Sequence, residues 1–297
     1  MLTTFGQAIA ICLVLFIAVP TRAQDKIWTD ASSLTGTLQR IKSSGAIRLG
    51  YRENALPFAF LANGEPVGYS IDLCNAIVQE VSAELGGRAV RVEYRPVTTQ
   101  NRFSLLVSGD IDLECGSSTN TLERQERVAF SPVIFVTGTK LLVNRRSLVS
   151  NLRDLRSKWV VVTRDTTNAA IVGALSEKQR LRIKFLFGRD HDESFEILAS
   201  GKAEAFANDD VLLHGLIANA KMSGDYRIVG DSLSYEPYGL AFRKDDFPFA
   251  EVVERTFQRI AKTGEMVRLY ERWFLGPLPS GVHLNLPMSS ELEESIT

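Results

Sequence analysis

The chain has 297 residues, 45% of them hydrophobic and 23% charged, a length and balance that suit one large globular domain or two of ordinary size and exclude a disordered chain. Its 34 basic residues against 35 acidic ones leave a formal charge of −1, which argues against a nucleic-acid-binding protein, where a basic excess is the rule.

The first residues stand apart from the rest. From Phe5 to Val19 the chain reads FGQAIAICLVLFIAV without a charge, followed by Pro20 and TRAQ. That is the shape of a secretory signal peptide over residues 1–23, cut after Ala23, and the run is short for a transmembrane helix. Its front end carries no Lys or Arg, so the terminal amine is its only positive charge. Cys12 follows Ile11, where a lipid-attachment site needs a small residue, so Cys12 is expected to leave with the signal. Residues 24–37 read as a polar lead.

Beyond the signal two cysteines remain, Cys74 and Cys115. In an oxidising compartment an isolated even pair is more often a disulfide than a nucleophile or metal site. Cys74 falls on a predicted helix and Cys115 at the end of a predicted strand, so a bridge requires their Cα atoms within about 7 Å. The histidines, His191, His214 and His283, form no HExxH-like cluster. No metal and no cofactor are expected.

In chain order, TLQRIKSSGAIRLGYREN predicts a short helix, a glycine turn and a strand. Apolar residues at Ile71, Cys74, Ile77, Val78 and Val81 recur at helical spacing, with Ser70 as the expected N-cap. RAVRVEYRPV reads as a strand, NRFSLLVSGD as a helix ending at Gly109, and IDLEC as a strand. A second series follows: strands in TKLLVNR, WVVVT, RIKFLFG and AEAF, and helices after TRDTTN, in HDESFEILAS and in DDVLLHGLIANA. YGLAFRK is a further strand, and the long run after it predicts two helices meeting at Thr263 and Gly264. Repeated β-α-β order predicts two α/β lobes with parallel strands. No low-complexity linker separates them, so strands are expected to join them.

In parallel sheets, binding groups gather beyond the carboxyl ends of strands, and GYREN, TTQNR, CGSSTN, TRDTTN and GRDHDES all fall there. Arg52, Arg102 and Arg124 stand in or beside these segments. A lone arginine is by default a solvated charge, but several guanidinium groups facing one cleft suit a ligand with more than one carboxylate. Phosphate would suit them equally, although no P-loop or GxGxxG follows any of these strands. Ser117, Thr119, Thr166 and Thr167 precede predicted helices, where they either cap the helix or meet an anionic ligand. Of Asp209 and Asp210, one is expected to cap a helix and the other to face the cleft toward a cation. His191 is either a surface histidine or a donor in the cleft, and His214 a structural one. No GxSxG elbow or assignable triad is present, and Asp110 and Asp112 in SGDID read as a turn.

The segments GYRENALPFAF, GYSIDLCNAIV, TTQNRFSLLVSGDIDLECGSSTNTLERQERVAFS, VVVTRDTTN, DHDESF, FANDDVLLHG and YGLAFRKDD, in this order, resemble periplasmic solute-binding proteins of amino-acid ABC importers, and most specifically their glutamate/aspartate-binding subgroup. The resemblance runs from about Leu38 to Leu286. It implies a two-lobed Venus-flytrap fold of type II. Lobe 1 would span 38–137 and 237–297, lobe 2 would span 138–236, and hinge strands would cross near Val136 to Thr139 and Tyr235 to Tyr238. It also implies that Arg124 holds the ligand α-carboxylate together with Thr167, that Asp209 receives the α-ammonium, and that Ser117 and Thr119 contact the head group. The side-chain carboxylate would fall to Arg52, Arg102 and His191, with Thr99 nearby. Thr99 replaces a serine common in relatives, and Arg164 and Asp165 replace a smaller pair, which would place charge at the cleft mouth. The expected partners are glutamate or aspartate and a membrane permease, for a monomeric periplasmic protein without enzymatic activity. The alternatives are a cyclohexadienyl or arogenate dehydratase-like enzyme on the same fold, or a receptor for another amino acid such as glutamine. A receptor-kinase sensor lobe is disfavoured, since only a short polar tail follows.

Overall fold

The computed structural model describes residues 34–220 and 224–296. The expected signal peptide, Cys12 and all but the end of the polar lead lie outside the described residues.

The chain opens with helix α1 (Gly36–Ser44) and strand β1 (Ala46–Tyr51), joined by Gly45, whose φ of 68° closes the helix in the left-handed region where glycine is favoured. A three-stranded antiparallel hairpin sheet follows, formed by β2 (Asn54–Ala55), β3 (Ala59–Ala62) and β4 (Glu65–Val67). Then come α2 (Tyr69–Glu84), β5 (Arg91–Pro96), α3 (Arg102–Ser108), β6 (Leu113–Thr119), the single turn α4 (Leu122–Gln125), β7 (Val128–Phe130) and β8 (Phe135–Thr137). The second series is β9 (Thr139–Asn144), β10 (Trp159–Thr163), α5 (Thr167–Lys178), β11 (Lys184–Gly188), α6 (His191–Ala199), β12 (Ala205–Asp209), α7 (Asp210–Asn219) and β13 (Tyr226–Val229). The chain returns through β14 (Glu236–Arg243) and ends with α8 (Phe247–Lys262), α9 (Glu265–Tyr270), a π-helical turn over Glu271–Leu275, and α10 (Ser290–Ile296).

The first large sheet has the order β5-β1-β6-β14-β7, with β8 also pairing β14. Its strands β5, β1 and β6 are parallel, and β14 runs antiparallel to its neighbours. The second sheet has the order β11-β10-β12-β9-β13, with β11, β10 and β12 parallel and β9 antiparallel to both its partners. Each α/β lobe is built on one of these sheets. Only Gly138 separates β8 in the first sheet from β9 in the second, and β14 carries the chain back.

Both faces of the second sheet are covered, so its strands alternate between two cores. Leu141, Val143, Val160, Val162, Ala205 and Ala207 share one cluster, while Leu142, Val161 and Phe206 enter the other with Leu213 from α7. Side chains that alternate across a strand, with a helix on each face, account for these near-continuous apolar runs. In the first lobe an aromatic cluster holds the crossing strands. Phe58 lies 5.2 Å from Phe135 of β8 and 5.1 Å from Tyr238 of β14, ring centre to ring centre, and 5.6 Å from Phe274. Edge-to-face rings at such distances contribute about 0.5–1.5 kcal/mol per pair beyond burial.

Cys74 and Cys115 are bridged, with their Cα atoms 6.2 Å apart, within the expected reach. Four expectations from the sequence need correction. Ser70 is not an N-cap, because α2 begins at Tyr69 and the Ser70 hydroxyl instead donates to the Gly116 carbonyl at 2.7 Å. The CGSST stretch is not a loop beyond the strand but the second half of β6 itself, so Ser117 and Thr119 cap no helix; Thr121 caps α4. Asp112 is more than a turn residue: it is fully buried, accepts from Arg40 Nε at 3.0 Å and from the Arg48 backbone at 2.8 Å, and lies 3.4 Å from Arg243 Nη2. Of the aspartate pair, neither side chain caps α7, since Asp210 pairs with Lys140 at 3.0 Å and Asp209 turns inward.

Candidate ligand-binding site

The site residues come from the carboxyl ends of parallel strands and the helix starts that follow them. Arg52 follows β1, while Thr99 and Arg102 lie between β5 and the first turn of α3. Ser117 and Thr119 lie in the last three residues of β6, ahead of α4, which carries Arg124. From the second lobe, Thr167 opens α5 after β10, His191 opens α6 after β11, and Asp209 ends β12. All nine line one cavity, together with Thr166, Asn168 and Leu212.

A local irregularity shapes the first-lobe wall. Glu114 pairs with Ala241 and Ser118 with Gly239, so β6 carries two more residues over this interval than β14. A bulge of this kind bends its strand and re-aims side chains, and Ser117 and Thr119 both reach the cavity from it.

The three guanidinium groups are held by few protein acceptors. Arg52 Nη2 donates to Asn54 Oδ1 at 3.1 Å, while Arg52 Nη1 and Arg102 Nε are buried without a hydrogen-bond partner among the described residues. Arg124 Nη1 donates to the Thr119 carbonyl at 2.8 Å. Phe103 lies under both neighbours, with the guanidinium carbons of Arg102 and Arg124 at 4.8 and 5.3 Å from its ring centre, a cation–π arrangement the sequence reading missed. Burial, then repulsion from Arg102, pulls both Arg52 and Arg124 down to about 10. Burial also lowers Arg102, against the pull of Glu114. These shifts express the cost of gathering desolvated positive charge, a cost an anion in the cavity would offset.

His191 is buried and neutral, since desolvation and then Arg52 and Arg102 push its pKa well below the usual value. Its Nδ1 lies 3.0 Å from Thr163 Oγ1 and 3.4 Å from Asn208 Nδ2, and the ring lines the cavity.

Opposite the arginines, Asp209 accepts from Asn168 Nδ2 at 2.8 Å and from the hydroxyl of Tyr238. Asn168 also donates to Thr139 Oγ1 at 2.8 Å, which fixes its amide between β9 and β12. Burial and the neighbouring Glu236 raise the Asp209 carboxyl to about 6, although the bonds from Tyr238 and Asn168 oppose this. The Tyr238–Asp209 bond joins a strand of the first sheet to one of the second. Two other contacts also cross: Gln100 Nε2 donates to the Arg189 carbonyl at 3.1 Å, and the Thr119 and Thr167 hydroxyls lie 3.5 Å apart. Thr166, by contrast, caps α5 through the Ala169 amide. His214 sits outside the cavity, 3.5 Å from Asp210.

Two α/β lobes joined by crossing strands, with polar side chains from both converging on one small cavity, define a solute-binding protein. The chain belongs to the bacterial extracellular solute-binding proteins, family 3, whose model matches residues 47–276. It is 41% identical over 269 residues to the L-glutamate/L-aspartate-binding protein of Pseudomonas aeruginosa, covering 90% of this chain and 89% of that one. It is 39% identical over 267 residues to the glutamate/aspartate import solute-binding protein of Escherichia coli (strain K12), covering 89% of this chain and 88% of the relative. Among solved structures, an ancestral arginine-binding protein bound to arginine superposes with a TM-score of 0.70 at 30% identity, over 77% of this chain and 98% of that one.

Proposed function

We propose that the chain is a periplasmic receptor that encloses an acidic amino acid, glutamate or aspartate, between its lobes and hands it to the membrane permease of an ABC importer. The names of the relatives above favour this ligand class, while the fold alone does not choose one, since a structural neighbour holds arginine. The observation that carries the reading is the charge arrangement. Arg52, Arg102 and Arg124 line a cavity with Asp209, and two buried N–H groups on Arg52 and Arg102 lack protein acceptors among the described residues. A zwitterion with a second carboxylate matches that count.

Arg124, Thr167, Ser117 and Thr119 take the α-carboxylate end, and Asp209 takes the ammonium. Arg52, Arg102, His191 and Thr99 take the side-chain carboxylate. Lobe 1 spans 38–137 and 237–297, lobe 2 spans 138–236, and the crossings flank Gly138 and Glu236. Ligand shifts an open-to-closed equilibrium about these crossings. The chain reaches the periplasm by a cleaved signal over residues 1–23 and acts as a monomer.

The chain acts as a receptor rather than a dehydratase. Asp209, raised to about 6, has the acidity for proton transfer at a leaving group, but both its oxygens already accept, from Asn168 and Tyr238. Product formation from prephenate or arogenate would overturn this. The ligand assignment is tested with Arg102→Ala by calorimetry. Loss of a buried charge partner weakens glutamate by roughly 30-fold or more and glutamine far less. Equal losses would remove Arg102 from side-chain recognition.

A further inference from the structure

Glu114 is a buried carboxylate that the ligand assignment leaves unused. It is fully buried in β6. Its Oε2 accepts from Ser118 Oγ at 2.7 Å, and its Oε1 has no hydrogen-bond partner among the described residues. An unpaired carboxylate oxygen in the interior carries a large desolvation cost unless positive charge lies near.

That charge comes from the cavity wall. Gly116 sits between Glu114 and Arg52: a Cβ built there would lie 2.2 Å from Glu114 Oε1 and 3.3 Å from Arg52 Cγ. A side chain at position 116 would displace the carboxylate from its place against the Arg52 stem. The Gly116 carbonyl is itself fixed by the Ser70 hydroxyl at 2.7 Å. Glu114 is the strongest charge partner of Arg102 and, for Arg52, stands ahead of Asp190 and Asp192 across the cleft. No direct ion pair forms between Glu114 and either arginine among the described residues, so the unpartnered Nη1 of Arg52 and Nε of Arg102 stay free for a ligand. The carboxylate thus reduces the net charge of this pair from two to one without consuming those donors.

We propose that Glu114 is a specificity-determining counter-ion, which makes the side-chain end of the cavity accept one negative charge rather than two. The inference rests on the acidic-amino-acid reading above. Glu114 does not line the cavity; it acts through the guanidinium groups, on Arg52 and Arg102 and also on Arg124, and is therefore a positioning residue. It leaves the guanidinium pair singly unbalanced, and a single carboxylate completes it.

The test is the ratio of glutamate to glutamine affinity, which compares two side chains of nearly one shape and different charge. Glu114→Gln keeps the shape of the residue and removes its charge, and is expected to raise that ratio about tenfold or more. Glu114→Asp, which keeps the charge, is expected to leave the ratio near the wild-type value. An unchanged or lower ratio in E114Q, with wild-type protein still preferring glutamate, overturns the role of Glu114. Wild-type protein that prefers glutamine overturns the functional reading itself. A measurement on unmodified protein guards against a misfolded variant. O-Phospho-L-serine gains its second phosphoryl charge near pH 6, so its affinity relative to glutamate at the same pH is expected to fall about tenfold between pH 5 and pH 8. A constant or rising relative affinity would contradict the proposal.

Discussion

Gly215 offers the sharpest test of closure. It lies on α7 of the second lobe, and a Cβ built there would stand 2.3 Å from the Leu56 carbonyl oxygen and 3.1 Å from Leu56 Cδ2. Leu56 belongs to the hairpin segment of the first lobe, between β2 and β3. Restoring an ordinary separation of 3.4 Å requires the two lobes to part by about 1 Å at this point, because the blocking atom is backbone and has no rotamer to change. The same helix carries Leu212 into the cavity and begins directly after Asp209. Overpacking of this kind costs about 1–3 kcal/mol. When the clash exists only in the closed state, the whole cost appears in binding, a loss of roughly 5- to 150-fold in affinity. The assay is calorimetric titration of Gly215→Ala with glutamate, paired with thermal unfolding of the ligand-free variant. Closure predicts weaker binding with an unchanged ligand-free Tm. Unaltered affinity, or a ligand-free Tm that falls in step with affinity, would refute the reasoning.

Other consequences follow from the same geometry. The Asp209 carboxyl is raised to about 6, first by burial and then by Glu236. It must be ionised to receive an ammonium, so glutamate affinity is expected to be flat above pH 7. Below about 6 it should fall toward tenfold per pH unit, and a flat profile down to pH 5 would contradict the assignment. Tyr238→Phe removes a hydroxyl that donates to Asp209 and holds its carboxyl down; in the same pH series the midpoint should move upward and affinity should fall by an amount equivalent to about 1–3 kcal/mol. Replacing Cys74 and Cys115 with serine opens a cross-link of sequence separation 41, which should lower stability to urea by about 4 kcal/mol or somewhat less. Ligand affinity of the folded fraction should hold, because neither cysteine lines the cavity.

Much of the site was legible because the architecture imposes a rule on position. Parallel strands bring their carboxyl ends to one edge, so local pattern puts the segments that carry Arg52, Arg102, Thr167 and His191 there, while the choice of a site role for Thr167 and His191 over a capping or surface role rests on the resemblance. Ser117 and Thr119 carry a misleading local signal. A hydroxyl-rich stretch reads as a capping loop, while a bulge let β6 continue through it. The residues that hold Asp209 had no local signal: Asn168 and Tyr238 come from 41 and 29 positions away, and only tertiary approach joins them. Asp112 reads as a turn for the same reason, since Arg40 and Arg243 reach it from 72 and 131 positions away. The hairpin of β2, β3 and β4 has strands of 2, 4 and 3 residues, too short for alternation to register. Glu114 is one polar residue within the strand sequence IDLEC, and its place depends on Gly116 and Arg52 packing beside it.

On the proposed function, Arg52, Arg102 and Arg124, in one cavity with Asp209, select an acidic amino acid. The direct measurement is calorimetric titration of the refolded, ligand-free mature protein with a panel of acidic, neutral and basic amino acids. Glutamate or aspartate is expected to bind with one-to-one stoichiometry and the highest affinity of the panel. Tight binding of a neutral or basic amino acid, with neither acidic one bound, would contradict the account.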